Sequence, residues 1–244
     1  MRLVLAAKLS NKDATKRCWN SQSQTQSKQT GSQMRKQFSE IKNSKLFTAN
    51  DPALRAIGNV VDLLIEDGSW NVRYLVITTD APLSRRVLIS PTAIEGFDFE
   101  SITLATLLTT HQVVQSPTAD FDEPISRQYE QALIDYYGWP IYWFGKAGFK
   151  PQSIEAFASD KATASVNERD ASNLRSANEI CGYQIQSQDG PAGVMMDLAI
   201  QVESWTVDYA TADSASWRPT DSSMFSTSRI SCVDWSTQHV MVDL

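Results

Sequence analysis

The chain has little of what most catalytic and metal centres require. Its 244 residues include only two histidines, His111 and His239, and three cysteines, Cys18, Cys181 and Cys232. The histidines are isolated and no H-E-x-x-H spacing occurs, so a multi-histidine metal site lacks its ligands unless carboxylates supply them. The cysteines are scattered, with no C-x-x-C, which argues against a disulfide framework or a structural zinc site. Cys181 and Cys232 read as buried reduced thiols, and Cys18, in a polar segment, as an exposed one. There is no G-x-S-x-G, no Walker loop and no G-x-G-x-x-G. Neither a nucleophile elbow nor a phosphate-binding cofactor is therefore indicated, and no cofactor is expected. The acidic residues Asp120, Asp122 and Glu123 read as a solvated loop rather than a cation site. No stretch approaches the roughly 18–20 apolar residues of a membrane helix. The apolar run Leu3–Ala7 is shorter than a secretory core of about 7–15 residues. A soluble, cytoplasmic protein is the expectation.

What is present is unevenly spread. Apolar residues make up 42% and charged residues 20%, as in ordinary globular chains. At roughly 100–200 residues per domain, that length allows one large or two small domains. Residues 1–45 hold ten Lys/Arg and two Asp/Glu, whereas residues 46–244 hold twelve and twenty-six. A basic head thus precedes an acidic body. Residues 21–30 contain no apolar side chain and cannot offset their ordering entropy. Residues 1–44 are accordingly expected to be a polar, mobile segment. Its charge suits anionic partners such as nucleic acid or lipid headgroups. Only Trp19 and Phe38 lie among its lysines, too few for a base-stacking platform.

Short apolar runs broken by turns begin near residue 57. Val60–Ile65, Trp70–Ile77, Arg86–Ile89 and Ile102–Leu104 read as strands, the second by its period-2 alternation. One clear helix follows, over residues 126–137. Ser126 is its N-cap, and Gly138 with Pro140 is its stop. Tyr129, Leu133 and Tyr136 fall at i, i+4 and i+7, which predicts one aromatic and apolar face. Trp139, Tyr142, Trp143 and Phe144 continue the aromatic segment, which is expected to pack against a barrel, with a binding groove as the alternative.

One element occurs twice. Gly58, Asp62, Leu63, Ile65, Trp70, Val72 and Tyr74 reappear as Gly193, Asp197, Leu198, Ile200, Trp205, Val207 and Tyr209. The offset is a constant 135 residues across an ungapped window of seventeen. With one residue inserted, Val87–Ser90 aligns with Ser223–Ser226, and Phe99 meets Trp235. Gly58 and Gly193 suit a tight bend or a close backbone approach at a strand start. Asp62 and Asp197 sit inside strand patterns, where Asp is disfavoured, so each is expected to point outward or bond neighbouring backbone. Trp70 and Trp205 suit the end plug of a small barrel.

Those residues resemble the PRC-barrel family, named for the cytoplasmic part of the photosynthetic reaction centre H subunit. The resemblance rests on Gly58-Asn59-Val60-Val61-Asp62, Trp70, Arg73-Tyr74-Leu75-Val76 and Val87-Leu88-Ile89-Ser90-Pro91 in copy 1. In copy 2 it rests on Leu174-Arg175-Ser176, Gly182–Ile185, Asp189-Gly190, Gly193, Asp197 and Trp205. Ser116-Pro117, residues 124–130 and Tyr136–Pro140 look like the linker of tandem proteins of this family. Copy 2 lacks the R-Y-L-V and V-L-I-S-P wording and is the more diverged. The resemblance implies a mainly β protein with two small PRC-type barrels in tandem, at 45–105 and 173–244. A connector spans 106–172 and carries the one short helix.

The function implied is non-catalytic docking onto another protein or assembly, with a membrane electron-transfer or photosynthetic complex as one example. The candidate contact residues are Tyr136, Tyr137, Trp139, Tyr142 and Trp143, because aromatics are over-represented at interface hot spots. A homodimer and peripheral association with a membrane complex are open. The alternative is an RNA- or ribosome-associated factor acting through the basic head. The acidic body disfavours nucleic acid, since the barrels would repel phosphates.

Overall fold

The computed structural model describes residues 35–48, 55–80, 84–118, 125–143, 173–213 and 224–243. The first copy runs β1 (Arg35–Gln37), α1 (Phe38–Ile41), β2 (Lys45–Thr48), β3 (Ala56–Glu66), β4 (Val72–Thr79), β5 (Arg86–Ile89), β6 (Ile94–Asp98) and β7 (Thr103–Thr106). Two connector helices follow, α2 (Thr110–Val114) and α3 (Arg127–Tyr137). The second copy is β8 (Leu174–Ser176), α4 (Ala177–Ile180), β9 (Gln184–Ser187), β10 (Gly190–Gln201), β11 (Thr206–Ala212), β12 (Met224–Ser226), β13 (Ile230–Asp234) and β14 (His239–Val242).

The strands form two seven-stranded sheets. One has the order β5-β4-β3-β2-β7-β6 and the other β12-β11-β10-β9-β14-β13. Adding seven to each label of the first order gives the second, so the repeat is one of topology as well as wording. In each sheet one neighbouring pair is parallel, β2 with β7 and β9 with β14. The mainly β class with a helical connector stands. Among the described residues, no pairing joins the end strands β5 and β6, or β12 and β13, and each ladder is an open path.

The seventh strand of each sheet comes from the other copy. β1 pairs with β10, Arg35 opposite Gln201 and Gln37 opposite Ala199. β8 pairs with β3, Leu64 opposite Ser176 and Glu66 opposite Leu174. The copies therefore exchange their first strands within one chain. This corrects the expectation for the end of the polar head, because residues 35–44 belong to the fold. Phe38 and Ile41 are 4% and 0% exposed, so even this polar run buries two large side chains. Residues 1–34, Cys18 and Trp19 included, lie outside the described residues, as do Asp120, Asp122 and Glu123.

Buried side chains of both copies merge into one cluster, from Leu46, Leu63 and Leu75 to Ile185, Leu198 and Val207. A smaller cluster lies on the other face of the first sheet, where Tyr74, Val76 and Leu88 meet Leu133 of α3. β4 is thus covered on both faces. Its burial runs through Tyr74, Leu75, Val76 and Ile77 rather than alternating.

The repeated residues occupy matching places. A Cβ on Gly58 would stand 2.2 Å from the Thr78 carbonyl oxygen, and one on Gly193 2.8 Å from that of Asp213. Gly193 also has a φ of +123°. Gly58→Ala is therefore expected to push β3 off β4 and cost about 1–3 kcal/mol, measured as a lower urea midpoint. Trp70 and Trp205 both adopt left-handed backbone, with φ of 58° and 53°. Rather than plugging separate barrels, they meet at the junction of the copies. The Val72 N–H donates to the Trp205 carbonyl at 2.7 Å, and the Val207 N–H donates to that of Trp70 at 2.9 Å.

Cys181 is half-buried, and burial, reinforced by the nearby carboxylates of Asp197 and Asp62, pushes its thiol up to about 12. Cys232 is exposed, contrary to expectation. A register irregularity between Ile230 and Cys232 turns it off the core face of β13. Among the described residues, no helix is long and apolar enough to cross a membrane.

Candidate protein-contact site

The aromatic segment is placed by α3. Ser126 caps the helix, its hydroxyl accepting from the Tyr129 N–H at 3.2 Å. Gly138 ends it in the left-handed region at φ 73°, its N–H donating to the Ile134 carbonyl. The inward face is rotated from the expected one. Glu130, Leu133 and Ile134 are its buried residues, while Tyr136 is 40% exposed.

A carboxylate points inward because the chain supplies every partner it needs. Glu130 is 0% exposed. Its Oε2 accepts from the Tyr142 hydroxyl at 2.5 Å and the Tyr74 hydroxyl at 3.2 Å. Its Oε1 accepts from Arg127 at 3.0 Å. Desolvation holds the carboxyl above its ordinary range, although these three partners pull it back. Burial and the neighbouring carboxylate raise the Tyr74 and Tyr142 phenols well beyond their usual range. The guanidinium of Arg73 lies 4.2 Å from the Tyr142 ring centroid, and that of Arg127 lies 4.4 Å from the Trp143 ring. Arg73 also pairs with Glu66 at 2.6 Å. The cluster is a closed set of donors and acceptors that fastens α3 and the aromatic tail to β3 and β4.

The five candidate contact residues therefore divide. Tyr137 stacks on Trp139 at 4.1 Å, and Trp139 in turn meets Tyr74 at 6.3 Å. Those two and Tyr142 pack against the smaller core. Trp143 is half-buried beside Tyr142 and Arg127. Tyr136 faces outward, with its hydroxyl donating to the Gln112 carbonyl at 3.0 Å. Ile141 at 38% and Leu107 at 55% are further exposed apolar side chains of the connector, and neither was marked by its spacing. Phe144 lies outside the described residues. Glu130, Arg127 and Arg73 entered the sequence reading only as part of the family wording, and none was marked as a site residue, since a glutamate in a helix ordinarily reads as solvated.

Four of the eight repeat positions make the junction of the copies, Trp70 and Trp205 through their carbonyls and the two aspartates through their side chains. Each aspartate caps the other copy's short helix. Asp62 accepts from the Asn178 N–H at 3.0 Å and the Ser176 hydroxyl at 2.5 Å. Asp197 accepts from the Ser39 N–H at 3.2 Å and its hydroxyl at 2.5 Å. Each also bonds the next residue's N–H at 2.8 Å. The pairing extends to the aromatic pair Phe99 and Trp235. Lys36 lies 5.8 Å from the first ring and Arg175 4.9 Å from the second. A small cleft opens there, between Glu66, Asp67 and Trp70 on one side and Arg175 and Trp235 on the other. The Trp235 Nε1–H donates across it to Asp67 at 3.0 Å. Among the described residues, no group of three His, Cys, Asp or Glu side chains comes together. No protein-family model matches the chain, and no curated protein matches it.

Proposed function

We propose that the chain is a non-catalytic docking protein, built as two PRC-type barrel modules that exchange their first strands. The observation that carries this reading is the Glu130 cluster. Glu130, wholly buried, is spent on holding an aromatic helix in place. Among the side chains the connector offers to solvent are three large apolar ones, Leu107, Tyr136 and Ile141. A rigid scaffold presenting such side chains is suited to holding a partner rather than to chemistry. The partner is a protein or a larger assembly.

Two sets of variants separate holding the fold from holding the partner. Trp139→Ala is expected to cost about 2 kcal/mol, because Trp139 packs on Tyr74 and Tyr137. Tyr136→Ser with Ile141→Ser is expected to leave the thermal midpoint within a degree or two. The same double variant should lose the partner captured by the wild-type chain from native lysate. Retention of that partner by a folded double variant would put the contact elsewhere.

A further inference from the structure

The aromatic rings around Glu130 form a series. Tyr136 meets Tyr137 edge-on at 4.7 Å, Tyr137 stacks on Trp139 at 4.1 Å, and Trp139 stands 6.3 Å from Tyr74. The series starts at the surface, where Tyr136 is 40% exposed, and ends at Tyr74, which is 2% exposed. Its phenols differ in where their protons can go. Those of Tyr129 and Tyr136 donate to backbone carbonyls, of Pro117 at 2.9 Å and Gln112 at 3.0 Å, and a carbonyl does not keep a proton. Those of Tyr74 and Tyr142 donate to the Glu130 carboxylate, which does.

Indole and phenol rings both give up single electrons, but with different consequences. An indole holds the resulting positive charge, whereas an oxidised phenol must shed its proton. Burial and the neighbouring carboxylate raise the Tyr74 phenol well beyond its usual range, so it does not ionise first. Its electron and its proton leave together, and Glu130 at 3.2 Å lies within proton-transfer distance. Trp139 is half-buried and suits the electron-accepting end, because the stacked Tyr137 ring turns its negative face to the charge of an oxidised indole. Trp143 is worse placed, since the Arg127 guanidinium already lies 4.4 Å from its ring.

We propose that this cluster is a one-electron relay, which passes an oxidising equivalent from the Trp139 indole to the buried Tyr74 phenol with Glu130 as the proton acceptor. An outer-sphere one-electron oxidant takes the first electron from Trp139. Tyr74 then gives an electron to the Trp139 radical cation and its proton to Glu130 Oε2. The products are a neutral indole, a neutral Tyr74 phenoxyl radical and a Glu130 carboxylic acid, whose proton bonds back to the phenoxyl oxygen. The positive indole and the negative carboxylate are discharged in the same step, so no new charge is left in the core. Burial of Tyr74 then keeps the radical from reductants in water. The proposal goes beyond docking and uses no partner protein, so neither reading falls with the other.

The test is flash photolysis of the full chain with a ruthenium tris-bipyridine photo-oxidant and a sacrificial electron acceptor. Transient absorption and freeze-quench electron paramagnetic resonance distinguish tryptophanyl from tyrosyl radicals. Every sample carries Tyr183→Phe, because Tyr183 lies 5.7 Å from Trp235 and donates to Glu179 at 2.6 Å, a second set of the same parts. In this parent a tryptophanyl signal is expected to decay as a tyrosyl signal rises, and the rise should be slower in heavy water. Glu130→Gln, with its near-UV circular dichroism retained, should slow the rise by about tenfold or more and lose the isotope effect. Trp139→Phe and Tyr74→Phe should each remove most of the tyrosyl signal. Tyr129→Phe, which loses only a bond to a backbone carbonyl, should leave the rise unchanged. A rise as fast in folded Glu130→Gln as in the parent overturns the proposal. So does a rise that survives Trp139→Phe or Tyr74→Phe, or one in the parent that heavy water does not slow.

Discussion

Glu130→Ala is expected to lower stability at neutral pH by about 3 kcal/mol and to loosen α3 from the first sheet. The size follows from what the substitution strands. The buried Tyr74 phenol, the half-buried Tyr142 phenol and the Arg127 guanidinium all donate to this carboxylate, and each loses that acceptor. Glu130→Gln, which keeps one acceptor and the shape, is expected to cost much less. Near-UV circular dichroism should report the loss directly, because Tyr74, Tyr137, Trp139 and Tyr142 sit around the site. The gap between wild type and Glu130→Gln should also depend on pH. Burial raises the folded-state value above 4.5, so protonation favours the folded chain. The resulting stabilisation is fully present below about 4.5 and is lost as pH rises through the raised folded value. Wild type should therefore gain on the Gln variant as pH falls through that window. A wild-type-to-Gln difference that stays flat with pH, in denaturant titrations, would show that the site does not carry the proton.

The ends of α3 were legible because Ser126 and Gly138 act through backbone geometry that is local in sequence. Its inward face was not. A pattern of apolar spacing assigns Glu130 to water, and only the arrival of Tyr74, fifty-six residues earlier in the chain, makes its burial tolerable. The repeat was legible for a related reason. A glycine in contact with a carbonyl, an aspartate that caps a helix and a tryptophan at positive φ are each hard to replace, so their spacing persists in both copies. The exchange of first strands was hidden by length and register. β1 and β8 are three residues each, too short for a period. The short helices after them share Glu-Ile, as Glu40-Ile41 and Glu179-Ile180, at an offset of 139 rather than 135. Docking through the connector and barrel closure were carried by resemblance, and neither follows from any local pattern.

The reciprocal aspartates give the exchange its sharpest test. Asp62→Ala removes acceptors from the Asn178 N–H and the Ser176 hydroxyl, and Asp197→Ala removes those of Ser39. Each lost cap should cost about 1–2 kcal/mol, and the carboxylate also opposes the positive end of a helix. At about 2–4 °C per kcal/mol for a chain of this size, each single variant should melt several degrees lower. The double variant should melt lower by nearly the sum, since the two caps share no donor. The location of the damage decides the topology. Hydrogen exchange in Asp62→Ala should quicken at residues 176–180, in the copy that does not contain the substitution, and leave residues 38–41 protected. Asp197→Ala should do the reverse. If each variant loosened its own copy's helix instead, the first strands would not be exchanged in solution. With the predicted pattern, stability of either sheet depends on a strand and a helix delivered from the other. The two copies should then unfold in one transition rather than two, because neither sheet is complete without its exchanged strand.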